Sequence, residues 1–365
     1  MAGGGTGGHV IPAIAVAKEL ARAGHTPQFV GTERGVEARL VPSAGFPLKV
    51  IRVGGLKNLG ALTKVTSVFR LIAESFGQLS DFAVWKPAAV FSMGGYVAGP
   101  PVVAALLRGV PVIVMEPNAI PGATNKWIAR WVRRALINFE ETRRYFPAGR
   151  TELTGLPVRE EFFNLPPKAP SAEFTILITG GSQGSRTLNN AARDAWPLFL
   201  ASGLNVRLIH QTGTAQHADL ARDFAATALK GEVVPFIGDM PGAFAQADLI
   251  VCRSGAGAVS ELAAAGKPSI LIPFPFAADD HQTSNAQVLE HAGAALRSSD
   301  KEWTGTRFFE AVRDLAAAPE RLRGMSEAVR RLAHPHSARR AAEILLAEGA
   351  NPSKNIDSMG RTPKQ

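Results

Sequence analysis

A glycine-dense run near the start of the chain constrains the fold more than any other feature. Five of the six residues in Gly3–Gly8 are glycine, and His9 and Pro12 follow. A loop with so few side chains lets main-chain N–H groups approach a ligand, and the positive end of a following helix attracts an anion. The run predicts an anion-binding turn that leads into a helix. The alternative is a tight strand-to-helix turn without a ligand.

The same arrangement recurs in the second half of the chain. The apolar run Phe174–Thr179 leads into Gly-Gly-Ser-Gln-Gly-Ser at residues 180–185, and a helical pattern starts near Thr187. In the first half, apolar runs alternate with helical patterns in the same way. This alternation predicts α/β domains in which helices cover parallel sheets. The strand candidates of the first half are Gln28–Gly31, Ala88–Ser92 and Val110–Met115.

Length and composition agree with a two-domain globular protein. A chain of 365 residues exceeds one ordinary core, and its single cysteine, Cys252, excludes an internal disulfide and fits a reducing compartment. Only Met1 and Ala2 precede the first glycine loop, so we expect the first strand to be truncated, either through a misassigned start or because this domain is abridged. Residues 351–365 are polar and are expected to be disordered.

The formal net charge of +9 belongs entirely to the first half. Residues 1–157 hold 18 basic and 9 acidic side chains, whereas the other 208 residues hold 22 of each. A one-sided basic field predicts an anionic surface or polymer as partner, unless it only aids solubility. Basic residues are rarely interleaved with aromatic ones, and the chain has two tyrosines. We therefore expect no nucleic-acid partner.

Residues 57–86 predict an amphipathic helix, because their apolar residues recur at spacings of three and four. A helical face ringed by cations is typical of docking on an anionic membrane, and the alternative is a face packed on its own sheet. The apolar residues are Leu62, Val65, Phe69, Ile72, Phe76, Leu79, Phe82 and Trp85, and the flanking cations are Lys57, Lys64, Arg70 and Lys86.

A third strand–loop–helix pattern begins with the apolar run Asp248–Cys252 as its strand. Small residues at the helix start leave room for a diphosphate, and Glu261 can accept hydrogen bonds from two ribose hydroxyls. The pattern predicts a nucleotide site, although a turn of small residues can also serve packing alone. No Asp-x-Asp spacing or Cys/His cluster is present, so no metal site is predicted. The segment reads Arg253, Ser254, Gly255, Ala256, Gly257, Ala258, Val259, Ser260 and Glu261.

Seven segments in this order resemble the inverting GT-B glycosyltransferases that add N-acetylglucosamine to the lipid-linked muramyl-pentapeptide precursor of peptidoglycan. They are GGTGGHVIPA, MGGYVAGP, EPNAIPGATNKW, TGLPVR, GGSQGS, RSGAGAVSE and HQTSNA, and they cover nearly the whole chain. The resemblance implies two doubly wound Rossmann-like domains facing each other across a cleft. Residues 1–157 would form the acceptor and membrane side, with a helix at about 337–349 packed back on it. Residues 158–336 would bind the UDP-sugar.

The resemblance also assigns roles to single residues for the donor, UDP-N-acetylglucosamine. Ser182 and Arg159 would contact its diphosphate, the Ala256–Glu261 turn its phosphate and ribose, and Gln282 its sugar hydroxyls. Ile237 would lie against uracil, with its main chain reading the base edge. Thr6, Gly7 and Gly8 would line the cleft, and Asn118 would reach the donor sugar or the acceptor. No metal or other cofactor is implied.

His9 is the expected general base, which would deprotonate the C4 hydroxyl of the lipid-linked (undecaprenyl-pyrophosphoryl) muramyl-pentapeptide. An imidazole titrates near neutral pH and suits this role. Glu116 is the alternative base. It lies in Met115-Glu116-Pro117-Asn118, where the family commonly has His-Glu-Gln-Asn. The enzyme would work at the cytoplasmic face of the bacterial inner membrane as a peripheral protein.

Three other functions are compatible with parts of the pattern. A dinucleotide-dependent oxidoreductase needs a strand before a G-x-G-x-x-G loop and an acidic residue about 20 positions later, and the spacing here differs. Another UDP-sugar transferase of the GT-B type would share most of the motifs. A non-catalytic scaffold recruited to the membrane would keep the fold without activity.

Overall fold

The structure, a computed structural model, describes residues 1–52, 74–169 and 171–350. The chain divides into two compact units. The first comprises Met1–Val158 and the residues from His336 onward, and the second comprises Arg159–Pro335. The predicted tail at 351–365 and most of the predicted amphipathic segment, residues 57–73, lie outside the described residues.

The first unit is a parallel sheet of short strands. Ala2 forms single bridges to Val30 on one side and to Ser92 on the other, and so joins two groups of strands, β1-β2 and β3-β4-β5-β6. The sequence predicted a truncated first strand. At its place in the sheet, the single residue Ala2 pairs with the strands on both sides. The strands are β1 Phe29–Gly31, β2 Leu48–Val50, β3 Val90–Ser92, β4 Val112–Glu116, β5 Arg134–Ile137 and β6 Thr151–Leu153.

Helices cover the first sheet, and a core of apolar side chains lies beneath them. Phe82, Val102 and Ile128 are among its buried members. The last helix packs against the first, and Glu348 on it accepts hydrogen bonds from Arg133 and Arg134 at 2.7 and 2.8 Å. The helices are α1 Gly7–Arg22, α2 Glu37–Ser43, α3 over residues 74–85, α4 Gly99–Leu107, α5 Ala123–Ile128 and α13 Ser337–Ala350.

The second unit is a six-stranded parallel sheet with the order β12-β11-β10-β7-β8-β9. Trp196, Phe199 and Phe308 are buried in its core. The strands are β7 Phe174–Thr179, β8 Val206–Gln211, β9 Lys230–Val234, β10 Leu249–Cys252, β11 Ser269–Leu271 and β12 Ala295–Arg297. The helices are α6 Arg186–Ser202, α7 Thr214–Ala225, α8 Met240–Gln246, α9 Ala256–Ala265, α10 His281–His291, α11 Gly305–Ala316 and α12 Pro319–Arg330.

Strand order places a crevice in each unit. In the second sheet the chain progresses outward in opposite directions from β7 and β10, which are neighbours. In the first sheet, Ala2 and β3 form the corresponding pair. Loops at the carboxyl ends of such a pair diverge, and ligands of open α/β sheets bind between them. No helix among the described residues is long and apolar enough to cross a membrane.

Candidate functional site

The first glycine loop lies at the carboxyl edge of the first sheet. Its main chain approaches α2 closely, since a Cβ atom on Gly4 would lie 2.4 Å from the Oε1 atom of Glu37. Gly5 has a φ of +87°, which disfavours any other residue. The loop leads directly into α1, where Thr6 and Gly8 are exposed and Gly7 is half-buried. The predicted loop-to-helix turn is therefore present.

His9 lies in the first turn of α1 and is half-buried. Its Nδ1 atom is 3.3 Å from the main-chain oxygen of Gly4. A carbonyl oxygen only accepts hydrogen bonds, so the contact places the proton on Nδ1 and leaves Nε2 as the basic nitrogen. This is the tautomer that a general base acting through Nε2 requires.

Glu116 ends β4 and is 1% exposed. It accepts hydrogen bonds from the main-chain N–H groups of Asn118 and Gly122 at 3.0 and 3.1 Å, and from Asn125 Nδ2 at 2.8 Å. Asn118 Nδ2 adds a further one at 3.3 Å. Burial raises the pKa of Glu116 to about 7, against the opposing effect of these donors. The buried carboxylate therefore fixes the conformation of the loop at 117–122 through hydrogen bonds to its main chain.

The loops of the first crevice are tied together. Thr124 Oγ1 donates a hydrogen bond of 3.1 Å to the main-chain oxygen of Gly95, which follows β3. A Cβ atom on Gly95 would lie 3.6 Å from Nδ1 of His9. The structure thus brings the predicted residues of this unit, namely Thr6, Gly7, Gly8, His9, Glu116 and Asn118, to neighbouring loops at one edge of the sheet.

In the second unit, the glycine loop after β7 and the start of α9 after β10 flank the crevice. Ser182 is exposed on the loop, and Ser185 accepts a hydrogen bond from Leu188 N–H as the N-cap of α6. Gly184 has a φ of +74°, and a Cβ atom there would lie 1.8 Å from the main-chain oxygen of Thr212. The loop therefore packs too closely on β8 for a side chain.

Helix α9 begins with the small residues that the sequence singled out. Ala256, Gly257, Ala258 and Ser260 are half-buried, and Val259 is buried. Burial raises the pKa of Glu261 to about 7, and the nearby positive charge of Arg159 opposes this. No residue in the described part of the chain forms a hydrogen bond with the Glu261 carboxylate.

Ile237 and Gln282 also lie in the second unit, with part of their hydrogen-bonding capacity already used. The N–H group of Ile237 donates to Gln211 Oε1 at 2.8 Å, so its main-chain oxygen is the group with capacity for a base. Gln282 Oε1 accepts from Phe274 N–H at 3.0 Å, which leaves its Nε2 group as a donor. The main chain of Ile237 thus offers an acceptor more readily than a donor.

Arg253 is a functional candidate to which the sequence assigned no role. Its guanidinium donates to Ser185 Oγ at 2.7 Å and to the main-chain oxygen of Pro273 at 3.0 Å, and it pairs with Asp300 at 2.5 Å. One side chain therefore joins the loops after β7, β10, β11 and β12. Its position directly after a predicted strand indicated a residue at the carboxyl edge of the sheet. Its partners could not be predicted, because they are distant in sequence.

Possible metal ligands are scattered through the described residues. No group of three or more His, Cys, Asp or Glu side chains lies close enough there to hold an ion.

Comparisons with known proteins agree with the geometry. Residues 1–137 match the model of the glycosyltransferase family 28 N-terminal domain, and residues 175–343 match that of the C-terminal domain. The chain belongs to glycosyltransferase family 28. The family expected from the seven segments is confirmed, and so are the two Rossmann-like domains of the GT-B fold and enzymatic activity as a glycosyltransferase.

Similar proteins span almost the whole chain. A UDP-N-acetylglucosamine--N-acetylmuramyl-(pentapeptide) pyrophosphoryl-undecaprenol N-acetylglucosamine transferase of Solibacter usitatus (strain Ellin6076) is 62% identical over 96% of both chains. The transferase of that name from Myxococcus xanthus (strain DK1622) is 41% identical over 95% of this chain and 91% of its own. The crystal structure of Acinetobacter baumannii MurG is 33% identical, with a TM-score of 0.77 over 94% of this chain and 97% of its own.

Proposed function

We propose that this family 28 enzyme transfers N-acetylglucosamine from UDP-N-acetylglucosamine to the C4 hydroxyl of lipid-linked N-acetylmuramyl-pentapeptide, with inversion at the anomeric carbon. The observation that carries the proposal is the 62% identity, over 96% of both chains, to a transferase named for this reaction. The crevices of the two units supply residues for each step.

The donor binds at the crevice of the second unit. The N-terminus of α9 and Ser182 face the diphosphate, and Arg159 neutralises part of its charge. Glu261 accepts hydrogen bonds from the ribose hydroxyls, which explains why no described residue donates to it. The main-chain oxygen of Ile237 accepts the N3–H group of uracil, and Gln282 donates to the sugar.

His9 acts as the general base in the first unit. Its Nε2 atom removes the proton from the acceptor hydroxyl, whose oxygen attacks the anomeric carbon as the bond to the diphosphate breaks. UDP leaves as an anion, stabilised by helix N-termini and Arg159. Thr6, Gly7 and Gly8 leave room for the substrates near His9, and Asn118 contacts them from the neighbouring loop.

Glu116 positions the loop at 117–122 in this mechanism and does not act as the base. It is 1% exposed, and both of its carboxylate oxygens accept N–H groups of that loop. A base must come within hydrogen-bonding distance of the hydroxyl that it deprotonates. The half-buried His9 meets this requirement more directly.

The first unit meets the membrane through exposed apolar side chains, and its excess of basic residues adds attraction to an anionic surface. On α3, Phe76 and Val84 are 65% and 80% exposed, and Leu107 at the end of α4 is 68% exposed. Other residues of the predicted face serve packing, since Phe82 is buried in the core and Leu79 and Trp85 pack against it. The chain therefore works as a peripheral protein on an anionic leaflet, where its lipid-linked acceptor resides.

The decisive experiment measures UDP release from UDP-N-acetylglucosamine and a soluble lipid-linked muramyl-pentapeptide analogue, with EDTA present. Acceptor-dependent release that is lost in His9→Ala supports the proposal, and a β-linked disaccharide product establishes inversion. Release with other acceptors but not this one would favour another UDP-sugar transferase. Donor binding without release under any condition would favour a scaffold.

A further inference from the structure

Glu37 is a buried carboxylate that neither the motifs nor the proposed mechanism uses. It begins α2 and is 0% exposed. Its Oε2 atom accepts the N–H group of Gly5 at 2.8 Å, and its Oε1 atom accepts the N–H and hydroxyl groups of Thr32 at 2.9 and 2.7 Å. No cation in the described part of the chain pairs with it.

Hydrogen bonds keep this carboxylate ionised. Burial alone raises the pKa of Glu37, but the donors from Gly5 and Thr32 outweigh it, and the pKa lies below its ordinary value. A buried negative charge without a cation is stable only while such donors stay in place. The charge therefore fixes the positions of the groups that bind it.

The contacts of Glu37 continue to His9. The carboxylate lies directly beneath the glycine loop, and it holds the N–H group of Gly5. The preceding residue, Gly4, provides the main-chain oxygen that accepts the Nδ1–H group of His9. The carbonyl group of Gly4 and the N–H group of Gly5 belong to the same peptide group. Glu37 therefore binds one side of the peptide group whose other side contacts the imidazole.

We propose that Glu37 is a positioning residue for the reaction, which holds the first glycine loop and through it the imidazole of His9. The inference rests on the proposed role of His9 as the base. A base displaced by about 1 Å loses about 100-fold in rate, so an intact loop position matters for turnover.

Glu37→Gln tests the proposal with Thr32→Val as its matched control. The glutamine keeps the shape of the side chain, but its amide cannot accept from Gly5 and Thr32 at once. Valine removes only the hydroxyl bond to the same carboxylate and leaves the bond to Gly5. We expect kcat to fall about 10- to 100-fold in Glu37→Gln and less than about threefold in Thr32→Val. The KM for the donor stays within about twofold, since the donor site lies in the second unit.

A double variant separates positioning from general destabilisation. Folding is checked by circular dichroism and by calorimetric binding of UDP. In the His9→Ala background, Glu37→Gln is expected to lower the remaining activity by less than about threefold, because its effect passes through the imidazole. An undiminished effect in that background, or equal losses in Glu37→Gln and Thr32→Val, would overturn the inference.

Failure of the inference and failure of the proposed function give different results. Loss of activity in His9→Ala beside an unchanged kcat in Glu37→Gln overturns the inference alone. Full activity in His9→Ala overturns the role of His9 and the inference with it. If Glu37→Gln does not fold, Glu37→Asp replaces it, because aspartate keeps the charge but cannot reach both partners. A lower kcat with unchanged donor KM is again expected, and an unchanged kcat contradicts the inference.

Discussion

Single residues in the second unit combine burial with charge in ways that affect ligand binding. Burial raises the pKa of Glu261 to about 7, so its carboxyl group titrates near neutral pH. Arg253 is half-buried, with 13% of its side chain exposed, and its guanidinium donates to Ser185, Ile272 and Pro273 and pairs with Asp300. Glu261 is the residue proposed to accept the ribose hydroxyls, and Arg253 connects the loops beside it.

UDP affinity is expected to increase as the pH rises through about 7. Above this pH the Glu261 carboxylate is ionised and accepts the ribose hydroxyls, whereas below it the bound proton removes an acceptor. Calorimetric titration from pH 6 to 8 measures the change. Glu261→Gln stays neutral, so it binds UDP about 10-fold more weakly at pH 8 and keeps only the pH dependence of the diphosphate. A parallel pH response in both proteins would contradict the role of Glu261.

Arg253→Ala is expected to lower the free energy of unfolding by about 2 kcal/mol, because it removes the cation beside Asp300 Oδ1 and the donor to the main-chain oxygens of Ile272 and Pro273. UDP binding weakens as well, since Ser185 loses its link to the loop after β10. Urea denaturation and calorimetry measure the two effects. Arg222→Ala is the control, because its side chain is 71% exposed and its ion pairs are expected to contribute less than about 1 kcal/mol.

At the scale of elements, a glycine lies near each end of α6, and the two are required for different reasons. Gly184 just before this helix and Gly203 at its end both have positive φ, at +74° and +71°. A Cβ atom on Gly184 would collide with the main chain of Thr212, whereas one on Gly203 would meet open space. A substitution at Gly203 therefore meets only backbone strain, whereas one at Gly184 meets both backbone strain and a steric clash.

Gly184→Ala is expected to abolish UDP binding or folding, because the loop must move away from β8. Gly203→Ala carries only the conformational cost of about 1 kcal/mol and keeps UDP affinity. Thermal denaturation with and without UDP distinguishes the two variants. Equal behaviour would mean that the loop tolerates displacement.

Strands and helices could be predicted from the sequence where the spacing of apolar residues and glycines determines them. Strand β7 matches the predicted Phe174–Thr179 because an uninterrupted apolar run ends at a glycine loop. The contributions of Glu37 and Arg253 could not be predicted, because their partners are brought close by the fold. Glu37 reaches Gly5 across 32 residues and Arg253 reaches Ser185 across 68. Pattern alone also could not separate Phe82, which is buried, from Phe76, which is exposed.

Helix α3 allows a test of membrane binding at the scale of an element. Phe76→Ser together with Val84→Ser is expected to weaken binding to anionic vesicles about 100-fold, because each apolar side chain contributes about 1.5 kcal/mol or more when buried in lipid. Vesicle sedimentation measures the loss. Leu200→Ser on α6 removes a partly exposed leucine from the second unit and leaves vesicle binding unchanged. Equal losses in both would point to general destabilisation.

At the scale of the whole molecule, charge separates two tasks. All of the net charge of +9 belongs to residues 1–157, whereas the remaining residues are balanced. The half proposed to meet the membrane is thus strongly basic, and the half proposed to bind the donor is neutral overall. Under the proposed function, long-range electrostatic attraction therefore acts between the basic half and the membrane that carries the acceptor.

Salt is expected to separate turnover at a membrane from turnover in solution. The Debye length falls from about 10 Å at 0.1 M to about 3 Å at 1 M salt, which screens attraction to an anionic leaflet more than contacts inside a crevice. Turnover of acceptor embedded in anionic vesicles therefore falls steeply with salt, while turnover of the soluble analogue changes little. UDP affinity measured at each salt concentration is the control, because both assays share the donor. If the two acceptors respond equally to salt, the basic half binds the acceptor itself and not the surface around it.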